Sequence, residues 1–178
     1  PQFDKFIEQT KDVWTHLVDI RKSFEPRAEE LAKKYALAPY TMFIGSGALW
    51  GETILFSMCI LEEMQWKRTR YITSADFFHG TLELVEPGVP VFLFMGEDEN
   101  RKLDERVRAF LTRGVTGDTD INVIDTAEFA IPGLDDEFRV IVSPWILTVL
   151  VTDRLARYYE TVTKHNLKYR RYYHQFDY

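Results

Sequence analysis

A chain of 178 residues with 46% hydrophobic and 15% aromatic content is long enough to bury a sizeable core and excludes a disordered segment. Its net charge of −6 supplies no basic field, so neither nucleic acid nor an anionic membrane surface is an expected partner. One cysteine, Cys59 in an apolar run, excludes a disulfide framework and a cysteine metal site. No stretch is apolar enough to span a membrane and none has a signal-peptide pattern, so the chain reads as cytoplasmic, and its start at Pro1 fits a processed chain or a piece of a longer one.

Phe3, Phe6, Ile7, Val13, Leu17, Val18 and Ile20 recur near helical spacing and predict an amphipathic helix over 3–23. Pro26 suits the first turn of a second helix running to about Tyr35, and Pro39 breaks the pattern. Residues 1–38 therefore read as a helical lead-in and 39–178 as the main domain. Within the latter, Tyr40–Ile44 is a short strand and Gly45-Ser46-Gly47 a tight turn. Residues 48–65 are apolar nearly all round, as expected of a core helix, with Cys59 a buried small hydrophobe. Arg70–Thr73 is a second strand. His79-Gly80 precedes a half-buried helical turn carrying Leu82, Leu84 and Val85. Pro90–Met95 is continuously apolar, the mark of a parallel strand covered on both faces. Residues 98–113 form a helix, Ile121–Ile124 a fourth strand, and Ile141 to about Tyr159 a long helix. The tail, 168–174, is basic and aromatic.

Strands alternate with helices through connections too long for hairpins. The expected fold is α/β, a three-layer sandwich with a parallel, Rossmann-like sheet between helices. Ligands in such sheets lie beyond the carboxyl ends of the strands, where Gly45-Ser46-Gly47, Ser74-Ala75-Asp76 and Met95-Gly96-Glu97 would sit. The Gly45-Ser46-Gly47 turn could cradle a phosphate, but Ala48, Leu49 and Trp50 supply no hydroxyl and a plain turn is the preferred reading. The loop Gly96-Glu97-Asp98-Glu99-Asn100 carries three carboxylates that would repel an anion.

Glu62 and Glu63 end the apolar helix, where carboxylates oppose the macrodipole, which hints at a separate task for one of them. His79, read at the start of a helix, could give or take a proton at a pocket mouth. Asp76 reads as a helix cap. His16, His165 and His174 lack metal-ligand spacing, so no metal and no cofactor are expected. Lys168, Arg170 and Arg171 could bind an anion or simply be solvated, and the interleaved Tyr169, Tyr172 and Tyr173 suggest a tail packed onto the domain.

Three segments, Glu63–Trp66, Asp76–Pro90 and Arg170–Tyr173, resemble the sugar isomerase (SIS) domain, a five-stranded parallel sandwich that handles phosphosugars. The resemblance runs from about Tyr40 to the end. More narrowly, it is to the second SIS half of fructosamine-6-phosphate deglycases, related to the isomerase part of glucosamine-6-phosphate synthase. It implies that Glu63 is the base moving a proton between sugar carbons C1 and C2. It implies that His79 assists ring opening and proton transfer, often in the neighbouring subunit's site. Arg171 and Tyr172 would bind substrate; Tyr172 falls near the position of a synthase lysine, which favours deglycation over amine transfer. Thr81 stands where the family has proline after His-Gly. The family's phosphate-binding Ser/Thr loops are not visible in this chain. The implied ligand is a phosphorylated sugar–amino acid conjugate, processed without a cofactor; isomerase, synthase-like and non-catalytic sensor domains are the alternatives. The apolar 141–159 helix, which needs cover, and the family's lending of the histidine lead to an expected homodimer or pseudo-dimer with another SIS half.

Overall fold

The computed structural model describes residues 1–114 and 116–177; Val115 and Tyr178, the last residue of the expected domain, lie outside the described residues. Two helices lead in, α1 (Gln2–Thr10) and α2 (Val13–Tyr35). Then come β1 (Thr41–Gly45), α3 (a continuous helical run over 47–64), β2 (Thr69–Ile72), two 3-10 turns (Phe77–His79 and Thr81–Leu84) and β3 (Val91–Met95). α4 (Arg101–Leu111), β4 (Ile121–Asp125) and a final helical run over 136–163 complete the chain. The strands form one parallel sheet in the order β2-β1-β3-β4. It has four strands among the described residues, where the resemblance implies five.

The two central strands explain the layering. Every residue of β1 and β3 is buried. Successive side chains point to opposite faces, so Phe43, Phe92 and Phe94 enter one core and Met42, Ile44, Val91, Leu93 and Met95 the other. On the first face Phe43 stacks on Phe92 at 5.2 Å and on Phe94 at 6.0 Å, beneath α2, the 47–64 run and the 136–163 run. On the second face α4 contributes Val107 and Leu111, and the 3-10 turns contribute Phe77 and Leu82. Helices on both sides of a parallel sheet are what strands apolar on both faces require.

Several elements depart from the sequence reading. The chain breaks at Lys11–Asp12, so the expected 3–23 helix is two, and Pro26 lies inside α2 instead of opening a helix. Pro26 is exposed, so the carbonyl it cannot satisfy faces water and the helix continues. The last helical run starts at Asp136, five residues before the expected 141, with Asp136 and Glu137 in its first turn where the macrodipole favours acids. Pro144 sits within it, and the Ser143 hydroxyl donates to the Val140 carbonyl that Pro144 leaves free. One apolar face of this run is covered within the chain: Leu147, Leu150, Val151 and Leu155 are fully buried in the core they share with α2, while Ile141 stays 48% exposed and Trp145 and Val149 are half-buried.

The 47–64 run is also not a plain core helix. Leu55, Met58 and Cys59 are exposed or half-buried along its outer side, so Cys59 is not the buried residue expected. It winds as a π-helix from Leu55 to Met64, and the last run does the same from Thr148 to Leu155. π-turns are rare and concentrate near functional sites. Glu52, buried and 7% exposed, ties the two runs together by accepting from the Thr148 hydroxyl at 2.9 Å and from that of Thr152. Burial pushes the Glu52 carboxyl above the usual range.

The 47–64 run ends on Trp66, whose φ of 53° lies in the left-handed region. The Trp66 amide donates to Glu62 O at 3.1 Å and the Lys67 amide to Leu61 O at 2.8 Å, a Schellman-like cap with one extra residue in its ring. Glycine is the residue suited to that position. Trp66→Gly is expected to be more stable than Trp66→Ala by ~1 kcal/mol, the reverse of the usual order, because only alanine keeps the Cβ that opposes the left-handed backbone. Thermal unfolding of the two variants measures it.

Asp104 of α4 is 1% exposed and accepts from the Ser74 hydroxyl at 2.5 Å and the Gly96 amide at 3.3 Å. Burial, opposed by these hydrogen bonds, pushes its carboxyl up to about 6. Its folded pKa is above the unfolded value, so the folded state gains stability from this group as pH falls from about 6 toward 4 and loses it as pH rises. The shift corresponds to on the order of 3 kcal/mol. In unfolding measured from pH 7.5 to pH 4.5, Asp104→Asn should therefore compare worst with the wild type at the acidic end. Parallel pH profiles for the two proteins would refute the assignment.

Candidate active site

The carboxyl edge of the sheet, where this fold class places ligands, is sealed by the protein's own acids. The Asp98 carboxylate accepts from the Ala48 amide at 2.6 Å and from its neighbour's, Asn100, at 2.7 Å. It occupies the space beside Gly47, whose φ is +56° and where a Cβ would collide with it. The Gly45-Ser46-Gly47 segment is thus a turn filled from within by a carboxylate. Ser46 accepts from the Ser74 amide at 2.7 Å and Ser74 in turn reaches Asp104. Arg101 grips Asp125 with two nitrogens at 2.9 and 2.6 Å and the Gly96 carbonyl at 2.8 Å. Glu97 pairs with Arg139 and accepts from Thr126. The acidic loop does not repel a ligand there so much as replace one.

The principal cavity lies at the opposite, amino edge. Its volume is about 360 Å³ and it is lined by Glu62, Glu63, Trp66, Lys67, Arg170, Arg171, Tyr172 and Tyr173, a size suited to a small metabolite. The 47–64 run leaves β1 at the carboxyl edge and returns to the amino edge before β2 begins, and its last turn delivers Glu62 and Glu63. Their unfavourable position at a helix end now has a cause. Glu62 accepts from the Thr69 hydroxyl at 2.5 Å, and Glu63 forms an ion pair with Arg170 Nε at 2.8 Å. The pair is only partly exposed, 19% for Arg170 and 29% for Glu63. The second Glu63 oxygen has no ion-pair or hydrogen-bond partner among the described residues and stands free to take a proton.

The tail supplies the other wall. Buried Gln65 anchors it by donating to the His165 carbonyl at 2.5 Å and accepting from Thr163 at 2.7 Å. Trp66 packs on His165 at 4.4 Å between centroids, and His165 on Tyr169 at 5.2 Å. Arg171 lies over the Trp66 ring at 4.3 Å. Beyond this the tail is open: Tyr169, Tyr172 and Tyr173 are 55%, 68% and 46% exposed, so the packing suggested by the interleaved tyrosines comes down to the edge contact of Tyr169 on His165.

Of the four residues expected at the site, the cavity gathers Glu63, Arg171 and Tyr172 but not His79. His79 closes the 3-10 turn Phe77–His79 instead of opening a helix, is exposed, and lies past the carboxyl end of β2. Glu63 precedes the amino end of the same strand. Four residues at about 3.3 Å each separate the two groups by roughly 13 Å or more. Asp76 holds the N-cap position of the Phe77–His79 turn as expected, but its side chain makes no capping bond: it accepts from the Thr73 hydroxyl at 2.7 Å, and the same hydroxyl accepts from the Asp76 amide at 3.0 Å. Arg170, a candidate anion ligand in the sequence, is instead paired with Glu63. Trp66, part of a segment that carries the resemblance, and Lys67 line the cavity without a role expected from the sequence. Among the described residues no group of His, Cys, Asp and Glu could hold a metal ion, and no helix is long and apolar enough to cross a membrane.

No protein-family model matches the chain. It is 28% identical over 174 residues to a fructosamine deglycase of Bacillus subtilis, a match covering 96% of this chain and 51% of that protein. It is 29% identical over 170 residues to a fructoselysine 6-phosphate deglycase of Escherichia coli, covering 94% and 46%. The chain thus spans about half the length of the curated relatives it matches. Among solved structures, one from Bacillus subtilis assigned as a phosphosugar isomerase superposes with a TM-score of 0.91 at 27% identity, over all of this chain and 53% of that one. The C-terminal domain of glucosamine-fructose-6-phosphate aminotransferase from Francisella tularensis shares the fold alone, with a TM-score of 0.65 at 14% identity over 93% of this chain and 47% of that one. The chain is a homologue of the fructosamine and fructoselysine 6-phosphate deglycases, built on the phosphosugar isomerase, or SIS, fold.

Proposed function

We propose that this chain is the proton-transfer half of a cytoplasmic deglycase that splits an amino-acid-linked sugar 6-phosphate into glucose 6-phosphate and free amino acid. The observation that carries the reading is the Glu63 carboxylate, held at one oxygen by Arg170 and open at the other, on the wall of a metabolite-sized cavity. The deglycase relatives support the substrate class. In this reaction Glu63 removes a proton from C1 of the open-chain fructosamine, and the electrons move to give an enaminol. Return of the proton to C2 gives an imine at C1. Water adds to that carbon, and the amine leaves as free amino acid. The sequence is redox-neutral. Arg170 acts as a positioning residue, fixing the carboxylate so that its free oxygen faces the substrate carbons.

The separation of Glu63 from His79 bears on how the site is completed. Within one chain the two groups occupy opposite edges of the sheet, so His79 serves a site whose Glu63 belongs to a second subunit or SIS half. The same separation favours a second reading, a non-catalytic domain that senses sugar phosphates, since one chain does not hold both groups together. Turnover decides between them.

In the full-length protein, Glu63→Gln keeps an acceptor for Arg170 but removes the proton acceptor. Turnover of fructoselysine 6-phosphate should fall by about 10²–10⁴-fold with substrate affinity largely kept. Normal turnover in that variant sinks the assignment. Mixing exchange-competent Glu63→Gln and His79→Ala subunits should restore part of the activity, because some mixed pairs regain one intact site. No recovery means that both groups serve the same subunit's site.

A further inference from the structure

The cavity carries more positive charge than its own carboxylates use. It is lined by three cations, Lys67, Arg170 and Arg171, and two carboxylates, Glu62 and Glu63. Arg170 is committed to Glu63. Glu62 is occupied by the Thr69 hydroxyl, which is itself held by Ser57 at 2.7 Å. Lys67 and Arg171 have no ion-pair or hydrogen-bond partner for their charged groups among the described residues. A protein of net charge −6 therefore brings two uncommitted cations to one concave surface, a local reversal of the field that favours an anionic ligand.

The two differ in exposure: Lys67 is partly withdrawn from water and Arg171 is exposed. Lys67 is half-buried, and burial without a counter-charge pulls its ammonium below the usual lysine range. Lysine is seldom withdrawn from water unpaired. Arg171 rests its flat face over Trp66, which leaves the edge donors of the guanidinium for a planar or tetrahedral oxyanion. Trp66 takes up that position from a left-handed backbone that disfavours every residue but glycine. Strain of this kind persists where surrounding structure enforces it, and it is concentrated at ligand sites.

We propose that Lys67 and Arg171 form an oxyanion clamp that holds one anionic end of the substrate while Glu63 faces the carbons between. This rests on the deglycase reading for the identity of the ligand. An amino-acid-linked sugar phosphate has two such ends, a phosphate monoester and an amino-acid carboxylate, and the clamp's chemistry serves either. Trp66 is the platform that orients Arg171 and so acts through it.

The test is direct binding by calorimetry on the full-length protein. Two probes carry one oxyanion each: fructose 6-phosphate the phosphate, fructosyl-glycine the carboxylate. Fructose, with neither, is the control. The wild type should bind at least one probe and not fructose. Lys67→Met and Arg171→Met should each weaken that binding by about tenfold, the loss of one charged hydrogen bond. Lys67→Arg should restore it, which separates loss of charge from loss of fold. Lys22→Met, which removes a surface lysine paired with Asp19, should change nothing. A loss seen with fructose 6-phosphate assigns the clamp to phosphate; one seen with fructosyl-glycine assigns it to the carboxylate. Wild-type affinity for both probes in both variants, or no binding of either probe to the wild type, overturns the clamp. Turnover of fructoselysine 6-phosphate is followed separately: its absence in a wild type that binds a probe defeats the deglycase reading and leaves the clamp standing.

Discussion

A parallel strand can be followed by another only after the chain has travelled back to the edge where strands begin, and this return governs the molecule. The 47–64 run makes that journey from the end of β1 to the start of β2. It starts among the loops of the carboxyl edge and ends on Glu62 and Glu63 at the amino edge. The next residues of interest, through His79, come only after β2 has crossed the sheet once more. Sequence proximity between the carboxylate and the imidazole is therefore misleading: the strand between them holds them apart, and its pairing with β1 from Thr69 to Ile72 fixes it in place. A subunit with this topology presents a carboxylate on one side and an imidazole on the other, the separation on which the proposed sharing of sites between subunits rests.

The electrostatics of the two edges reinforce the division. At the carboxyl edge, acids and bases satisfy one another: Asp98 on backbone amides, Arg101 on Asp125, Arg139 on Glu97, Asp104 on Ser74 and Gly96. Little polar capacity is left for a ligand, and the interactions instead rigidify the loops that carry His79. At the amino edge the balance is incomplete, with cations in excess. A protein that is acidic overall thus places two cations without ion pairs among the described residues, Lys67 and Arg171, in the cavity that Glu63 lines.

The strands were legible because their apolar runs are punctuated: β1 lies between Pro39 and Gly45, β3 between Pro90 and Gly96, and both came within a residue of the observed bounds. Helix ends were less so. Nothing in Lys11-Asp12 announces a break, and Pro26 reads as a start signal unless its exposure on α2 is known. The start at Asp136 carried its own sign in paired acids, outweighed by the apolar pattern that begins later. The conflict of charge with helix end marked Glu62 and Glu63 alike, and the family resemblance is what chose Glu63. Its partner Arg170 could not be matched to it from the sequence, since the conflict says that a partner exists but not where along the chain. Lys67 had no mark at all: a lysine loses its water through the arrival of the distant tail, which is a property of the fold and not of the residues around it.

The π-helical winding from Leu55 to Met64 has a meaning for how such a site can be altered over evolutionary time. A π-turn accommodates one more residue than an α-turn of the same height, so these stretches store surplus chain inside a helix. Removing a residue there would let the segment relax toward ordinary α-helix with its ends nearly where they were, while side chains within the stretch change the face they present. Glu63 lies at the far end of that stretch. Its direction is thus set by chain length as much as by residue identity, and a length change of one would redirect the base without disturbing the sheet. Insertions and deletions, usually confined to loops, here become a means of switching a site on or off from within the core.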